Sequence, residues 1–195
     1  MRALVNTFLI LCLASMLGTI AAADELVTNG GFENGDFSGW TIGGYDAGSG
    51  ITNDPTLVHG GSYAAWFRTT NDSEQVHLFQ TLPTITGTYD LVFWLKWVDY
   101  PPDEFNAYWN GTLVAHVGLA QSFPYLRVEV PNLEASGPAA LELTFSSNLN
   151  NDYWSTWYLD DVSVTGPSVP EPGSLVLLGS GVVALAGAAR RRLVA

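Results

Sequence analysis

Between Asp24 and about Gly166 the apolar residues never recur at helical spacing. They fall instead in short runs rich in Val, Thr, Tyr, Phe and Trp, each closed by a cluster of Gly, Pro, Asn or Asp. That punctuation predicts strands and turns throughout. The expected strands cover 76–82, 88–98, 105–109, 113–117, 125–130, 140–145 and 156–164. In Leu141-Glu142-Leu143-Thr144-Phe145 and in Val128-Glu129-Val130 apolar and polar residues alternate, which places the apolar side chains on one face of a strand. Asn110-Gly111, set between two such runs, predicts a hairpin with a type I′ turn, because that turn needs positive φ at both central residues. Short strands with turn signals about 8–12 residues apart fit an all-β, antiparallel two-sheet β-sandwich. Trp40, Trp94 and Trp157 are expected in its core. No internal repeat is present.

The two ends of the 195-residue chain read as processing segments. Arg2, the apolar run 4–20 and the small residues Ala21-Ala22-Ala23 follow one another in the order of a secretory signal peptide, which assigns residues 1–23 to export. Cys12 lies within that run, preceded by Leu11 rather than a small residue, so it is not a lipidation site. Cleavage after Ala23 leaves a protein without cysteine, and thereby without disulfide or thiolate chemistry. At the other end, residues 175–189 form an apolar stretch interrupted by Gly179, Gly181 and Gly187 and followed by Arg190-Arg191-Arg192. As a helix it would measure about 22 Å, short of the roughly 30 Å hydrocarbon core, and its arginines would stay on the cytoplasmic side. It is a marginal, transient membrane anchor.

Charge narrows the partners. Between Asp24 and Val169 three basic residues (Arg68, Lys96, Arg127) stand against eighteen acids, leaving −15. Nucleic acid and anionic membrane surfaces are excluded, since phosphate binding needs basic patches; calcium and neutral sugars are compatible. All seven tryptophans lie in this region. Sugar sites combine flat aromatic faces with amides and carboxylates, and two stretches carry that mixture. One runs from Trp97 through Tyr100 and Tyr108 to Trp109, with Asp99, Asp103, Glu104 and Asn106 interspersed; the other ends in Tyr153-Trp154. Trp97, Tyr100, Tyr108, Trp109, Tyr153 and Trp154 are therefore the candidate ligand-binding residues. Catalytic patterns are missing. Asp103 and Glu104 are neighbours on an expected strand and would point to opposite faces, and His59, His77 and His116 have no metal-ligand spacing. No nucleophile elbow or phosphate loop occurs. The reading is non-enzymatic.

Several segments carry a resemblance. Residues 26–40, from Leu-Val-Thr-Asn-Gly-Gly-Phe-Glu to Ser-Gly-Trp, then His59-Gly60-Gly61-Ser62-Tyr63-Ala64-Ala65, then the segments at 79–82 and 87–94, and finally Trp157-Tyr158-Leu159-Asp160-Asp161-Val162-Ser163-Val164, resemble in order the recurring segments of jelly-roll carbohydrate-binding modules. The resemblance covers residues 24–166 and implies a jelly-roll sandwich. In such modules an early glutamate and a late aspartate hold a structural calcium ion; the matching residues are Glu33 and Asp160, with Asp161 as the competitor. Calcium takes 6–8 oxygen ligands, so backbone carbonyls near His59–Ser62 and Asp54 would complete the set. The tail, residues 167–195, resembles a PEP-CTERM sorting signal: Pro170-Glu171-Pro172, an apolar stretch, and Arg190-Arg191-Arg192. That resemblance implies processing by an exosortase, a membrane-embedded protease, and an envelope, surface or matrix location in a Gram-negative bacterium. The expected function is a non-enzymatic exported protein that binds or resides in exopolysaccharide. The alternatives are a purely structural matrix component without a glycan site and a secreted glycan-active enzyme.

Overall fold

The computed structural model describes residues 24–44, 48–69, 75–99, 103–119, 123–147 and 155–166. Asp24–Pro167 form one compact unit. Ten strands build it: β1 (Thr41–Gly44), β2 (Gly50–Thr52), β3 (Ala64–Thr69), β4 (Gln75–Leu82), β5 (Thr86–Asp99), β6 (Asp103–Trp109), β7 (Thr112–Leu119), β8 (Phe123–Ser136), β9 (Ala139–Ser147) and β10 (Ser155–Thr165). They form two five-stranded sheets, sheet I in the order β1-β4-β9-β6-β7 and sheet II in the order β2-β3-β10-β5-β8. Every pairing is antiparallel. The fold is the all-β jelly-roll sandwich that the strand pattern and the resemblance imply.

Alternation explains why these sequences make two layers. On β5, Leu91, Phe93, Leu95 and Trp97 are buried while the residues between them reach the outer face; on β9, Leu141, Leu143 and Phe145 point inward in the same way. Rings from the two sheets interlock between the layers. Phe67 of β3 stacks on Phe145 of β9 at 4.2 Å, and Phe93 of β5 meets Phe105 of β6 at 5.1 Å. Each such side chain contributes roughly 1.5–3 kcal/mol by leaving water, and with no disulfide available these contacts carry the fold.

The hairpin at Asn110-Gly111 forms as expected between β6 and β7. Both residues have positive φ, 50° and 77°, and Asn110 also ties the turn to β9, its Oδ1 accepting from Ala140 N at 2.9 Å. The two ends of the unit meet: Glu25 bridges Thr165, and Leu26 N donates to Val164 O at 3.0 Å. Of the three tryptophans expected in the core, Trp40 and Trp157 are buried. Trp94 is not. It sits at an even position of β5, on the outer face, and His59 stacks on it at 3.7 Å.

Candidate functional site

The first candidate site is the carboxylate group formed by Glu33, Asp160 and Asp161. A bulge in β10 between Asp160 and Ser163 breaks the pairing register with β5. At the bulge Asp161 adopts φ 47°, so two adjacent aspartates leave the regular alternation. The 59–63 loop wraps both carboxylates with its own backbone. Asp160 Oδ2 accepts from His59 N (2.9 Å) and Gly60 N (3.1 Å), and its Oδ1 from Asp161 N (2.8 Å). Glu33 Oε1 accepts from Ser62 N (2.9 Å) and Tyr63 N (3.1 Å). The approach is close enough to require glycine: a Cβ on Gly60 would lie 2.6 Å from Asp161 Oδ2, and one on Gly61, at φ 66°, would lie 2.2 Å from Glu33 Oε1. The His-Gly-Gly-Ser segment is thus a carboxylate wrap.

Asp160 is fully buried. Burial pushes its carboxyl up to about 6; the backbone N–H groups of Gly60 and His59 oppose that shift, and the charge of Asp161 adds to it. His59 Nδ1 lies 2.7 Å from Asp161 Oδ2. Burial, with the nearby Asp160 and Asp161, also raises the Tyr125 phenol, whose hydroxyl donates to Leu57 O at 2.7 Å. Among the described residues no three His, Cys, Asp or Glu side chains are gathered as a metal cage. An ion here would rest on two carboxylates and carbonyl oxygens. The donor set fits such an ion in kind, being oxygen throughout, with a buried carboxylate whose hydrogen-bond donors are all neutral backbone N–H groups. Asp54 takes no part: it caps its own turn, accepting from Thr56 N at 2.8 Å and Thr56 Oγ1 at 2.7 Å.

The second candidate site is the outer face of sheet I. Register aligns three rows across β4, β9, β6 and β7: Phe79–Glu142–Tyr108, His77–Thr144–Asn106–His116, and Gln75–Ser146–Glu104. The polar groups are already organised. His77 Nδ1 lies 2.7 Å from Glu142 Oε1, His116 Nδ1 lies 2.8 Å from Asn106 Oδ1, and the His77 ring stacks near Phe79 at 5.7 Å. Thr144 and Ser146 on the central strand are only 4% and 5% exposed although they point outward, so the flanking side chains rise above them as the walls of a shallow trough. Edge strand β1 packs closely on one side, since a Cβ on Gly44 would lie 2.7 Å from the His77 ring. Among the described residues the rows hold two carboxylates, two amides, hydroxyls, two imidazoles and two aromatic rings, with no lysine or arginine.

This arrangement corrects part of the sequence-based aromatic set. Trp97 is 0% exposed and Trp109 is 4% exposed. Both point into the core because they occupy the inward phase of β5 and β6, and the Trp109 indole N–H is bonded to Glu134 O at 2.8 Å. Neither ring can stack on a ligand. Tyr108, one residue earlier, lies on the outer face. Tyr100, Tyr153 and Trp154 lie outside the described residues, as do Pro170, Glu171, Pro172, Arg190, Arg191, Arg192, the signal peptide and the tail stretch. His77, Phe79, Glu142 and His116 were missed from the sequence. Their i, i+2 spacing within single strands was visible, but not which strands lie side by side.

Residues 168–192 match the PEP-CTERM protein-sorting motif. No curated protein matches the chain significantly. Among solved structures, TmCBM61 in complex with β-1,4-galactotriose shares 18% identity at a TM-score of 0.62, over 74% of this chain and 100% of that one. The K3 cleaved adhesin domain of Lys-gingipain from Porphyromonas gingivalis W83 shares 18% at 0.51, over 73% and 99%. The xylanase 10B CBM22-1–GH10 modules of Clostridium thermocellum, complexed with xylohexaose, share 14% at 0.50, over 74% of this chain and 29% of that one. At such identities the likeness shows the fold alone. The chain thus carries a PEP-CTERM protein-sorting motif, which marks it for export and sorting to the cell envelope, and its described unit is a jelly-roll β-sandwich similar in fold to carbohydrate-binding modules.

Proposed function

We propose that this protein is a non-enzymatic component of the surface or extracellular matrix of a Gram-negative bacterium, and that its sandwich binds exopolysaccharide on the outer face of sheet I. The observation that carries the reading is the trough between Phe79 and Tyr108, where carboxylate, amide, hydroxyl and imidazole groups stand in register beside aromatic rings. Sugar hydroxyls need that density of donors and acceptors, and pyranose faces need the rings. A glycosidase would need two carboxyl groups within about 5–9.5 Å. The Cα positions of Glu104 and Glu142 lie four residues apart along the β6–β9 pairing, roughly 14 Å, and the Glu142 carboxylate is engaged by His77. The test is a glycan array probed with the wild type and with Tyr108→Ala. Saturable binding to a neutral polysaccharide, lost in the variant, supports the reading. Absence of binding to every glycan returns the protein to a purely structural matrix role.

In the same proposal, calcium held by Glu33 and Asp160, with Asp161 beside them, closes the carboxylate wrap. The support is the oxygen-only donor set, the buried Asp160 carboxyl, and the segment resemblance at both ends of the unit.

A further inference from the structure

The fixed charges on the outer face of sheet I are all of one sign. Register extends its rows toward the edges: Thr41–Phe79–Glu142–Tyr108–Leu113, then Gly43–His77–Thr144–Asn106–His116, then Gln75–Ser146–Glu104–Gly118. These rows hold Glu104 and Glu142 and, among the described residues, no lysine or arginine. All three cations of residues 24–166 belong to strands of the other sheet: Arg68 to β3, Lys96 to β5 and Arg127 to β8. The two histidines are neutral in the count that leaves the unit at −15. A carboxylate on this face therefore shares it with no lysine or arginine of the described chain.

Glu142 has the more telling surroundings. It is half-buried, and its directly opposite neighbours on the two adjoining strands are Phe79 and Tyr108, whose side chains stand about 5 Å to either side. His77 Nδ1 lies 2.7 Å from Glu142 Oε1, which leaves Oε2 without a partner among the described residues. An ammonium group supplies what this place lacks. Its bond to the carboxylate is charge-assisted, and a ring attracts it within about 6 Å. A hydroxyl donates a weaker bond and gains nothing from the rings as a cation. A carboxylate is repelled by Glu142 and, roughly 14 Å further along the same face, by Glu104. At physiological salt exposed charges act over about 8 Å, so these two groups set the sign that a ligand meets in the trough. We propose that the trough of sheet I selects a polysaccharide carrying free amino sugars, with the sugar ammonium held by Glu142 between Phe79 and Tyr108. The inference rests on the reading of this face as the glycan site and names the class of glycan.

Three hexamers make a charge series: β-1,4-linked glucosamine, its fully N-acetylated form, and hexagalacturonate. Calorimetric titration of the full chain in non-ionic detergent should give binding of the amine form roughly tenfold tighter than of the acetylated form, the worth of one charge-assisted hydrogen bond, with the uronate weakest. Glu142→Gln should leave the amine and acetylated forms equal. Glu129→Gln removes the same charge from sheet II and should keep the preference, which separates the site from the net charge of the unit. Tyr108→Ala should weaken the amine hexamer several-fold and leave hexalysine, a polycation without sugar rings, unaffected. A preference that survives Glu142→Gln, or that falls equally in Glu129→Gln, would overturn the proposal. Equal affinity for the amine and acetylated forms, or an unbound amine hexamer beside a bound neutral glycan, would overturn it and leave the sheet I reading standing. Absence of binding to every glycan would overturn both.

Discussion

The two outer faces of the sandwich differ in how many rings they hold and in where the cations lie. On sheet I, Phe79 and Tyr108 flank rows containing Glu104 and Glu142; on sheet II, Trp66, Trp94, Tyr125 and Tyr158 stand beside Arg68, Lys96 and Arg127. The difference shows why the net charge of an acidic domain says little about any one of its surfaces. All three cations of this acidic unit lie on sheet II, and there they stand among Asp90, Glu129, Glu134 and Asp160. Behind both faces lies one shared core, so a contrast between them is testable only where a substitution leaves that core intact.

The largest expected effect marks that boundary. Trp109→Ala should destabilise the fold by about 3–5 kcal/mol, because its ring is buried between the sheets, whereas Tyr108→Ala, one position earlier on the outer face, should cost far less stability. Denaturant melts of the pair measure this, and equal losses would mean that Tyr108 is part of the core rather than of a binding face. Next in size is calcium. An ion that binds only the folded state adds about 2.7 kcal/mol at a hundredfold excess over Kd, seen as a rise in melting temperature from EGTA to millimolar calcium. The rise should vanish in Glu33→Gln and Asp160→Asn; no shift in the wild type means no such site.

A smaller effect is set by pH. The Asp160 carboxyl is raised in the fold to about 6 from the ordinary 3.8. Its neutral form is thus favoured by folding, and without metal its contribution to stability is full below about 3.8 and fades as pH rises through 6. Calcium needs the charged form, so the calcium-induced rise in melting temperature should grow as pH increases across 6. A rise independent of pH between 5 and 7 would place the ion on other groups. The smallest effect sharpens the contrast itself: Arg127→Gln should alter stability within about 0.5 kcal/mol, as exposed pairs do, and leave neutral-glycan binding on sheet I unchanged.

Strands β4 to β10 were legible because each is long enough to show alternation or a bounded β-rich run, and the Asn110-Gly111 turn because its residues permit the backbone it needs. β1 and β2, four and three residues long and rich in glycine, carry no period to read. β3 begins with Ala-Ala and contains Arg68, which hides a strand whose Phe67 is a core residue. The carboxylate wrap was partly legible, since glycines next to one another at 60–61 mark a local backbone demand. The trough was not. Trp97, Tyr108 and Trp109 all lie in expected strands, and composition groups them together; only the strand phase separates inward from outward. Which strands become neighbours is decided by long-range packing, so rows such as His77–Thr144–Asn106–His116 have no trace in any one segment.

The joined ends of the unit have a mechanical consequence. The chain leaves the sandwich at Gly166, straight from β10, which is the middle strand of sheet II, paired with β3 over Ser155–Leu159 and with β5 out to Thr165. Tension arriving from that end runs along the strand, perpendicular to its ladder hydrogen bonds. Such a load would therefore be shared by many bonds side by side in shear instead of peeling them singly.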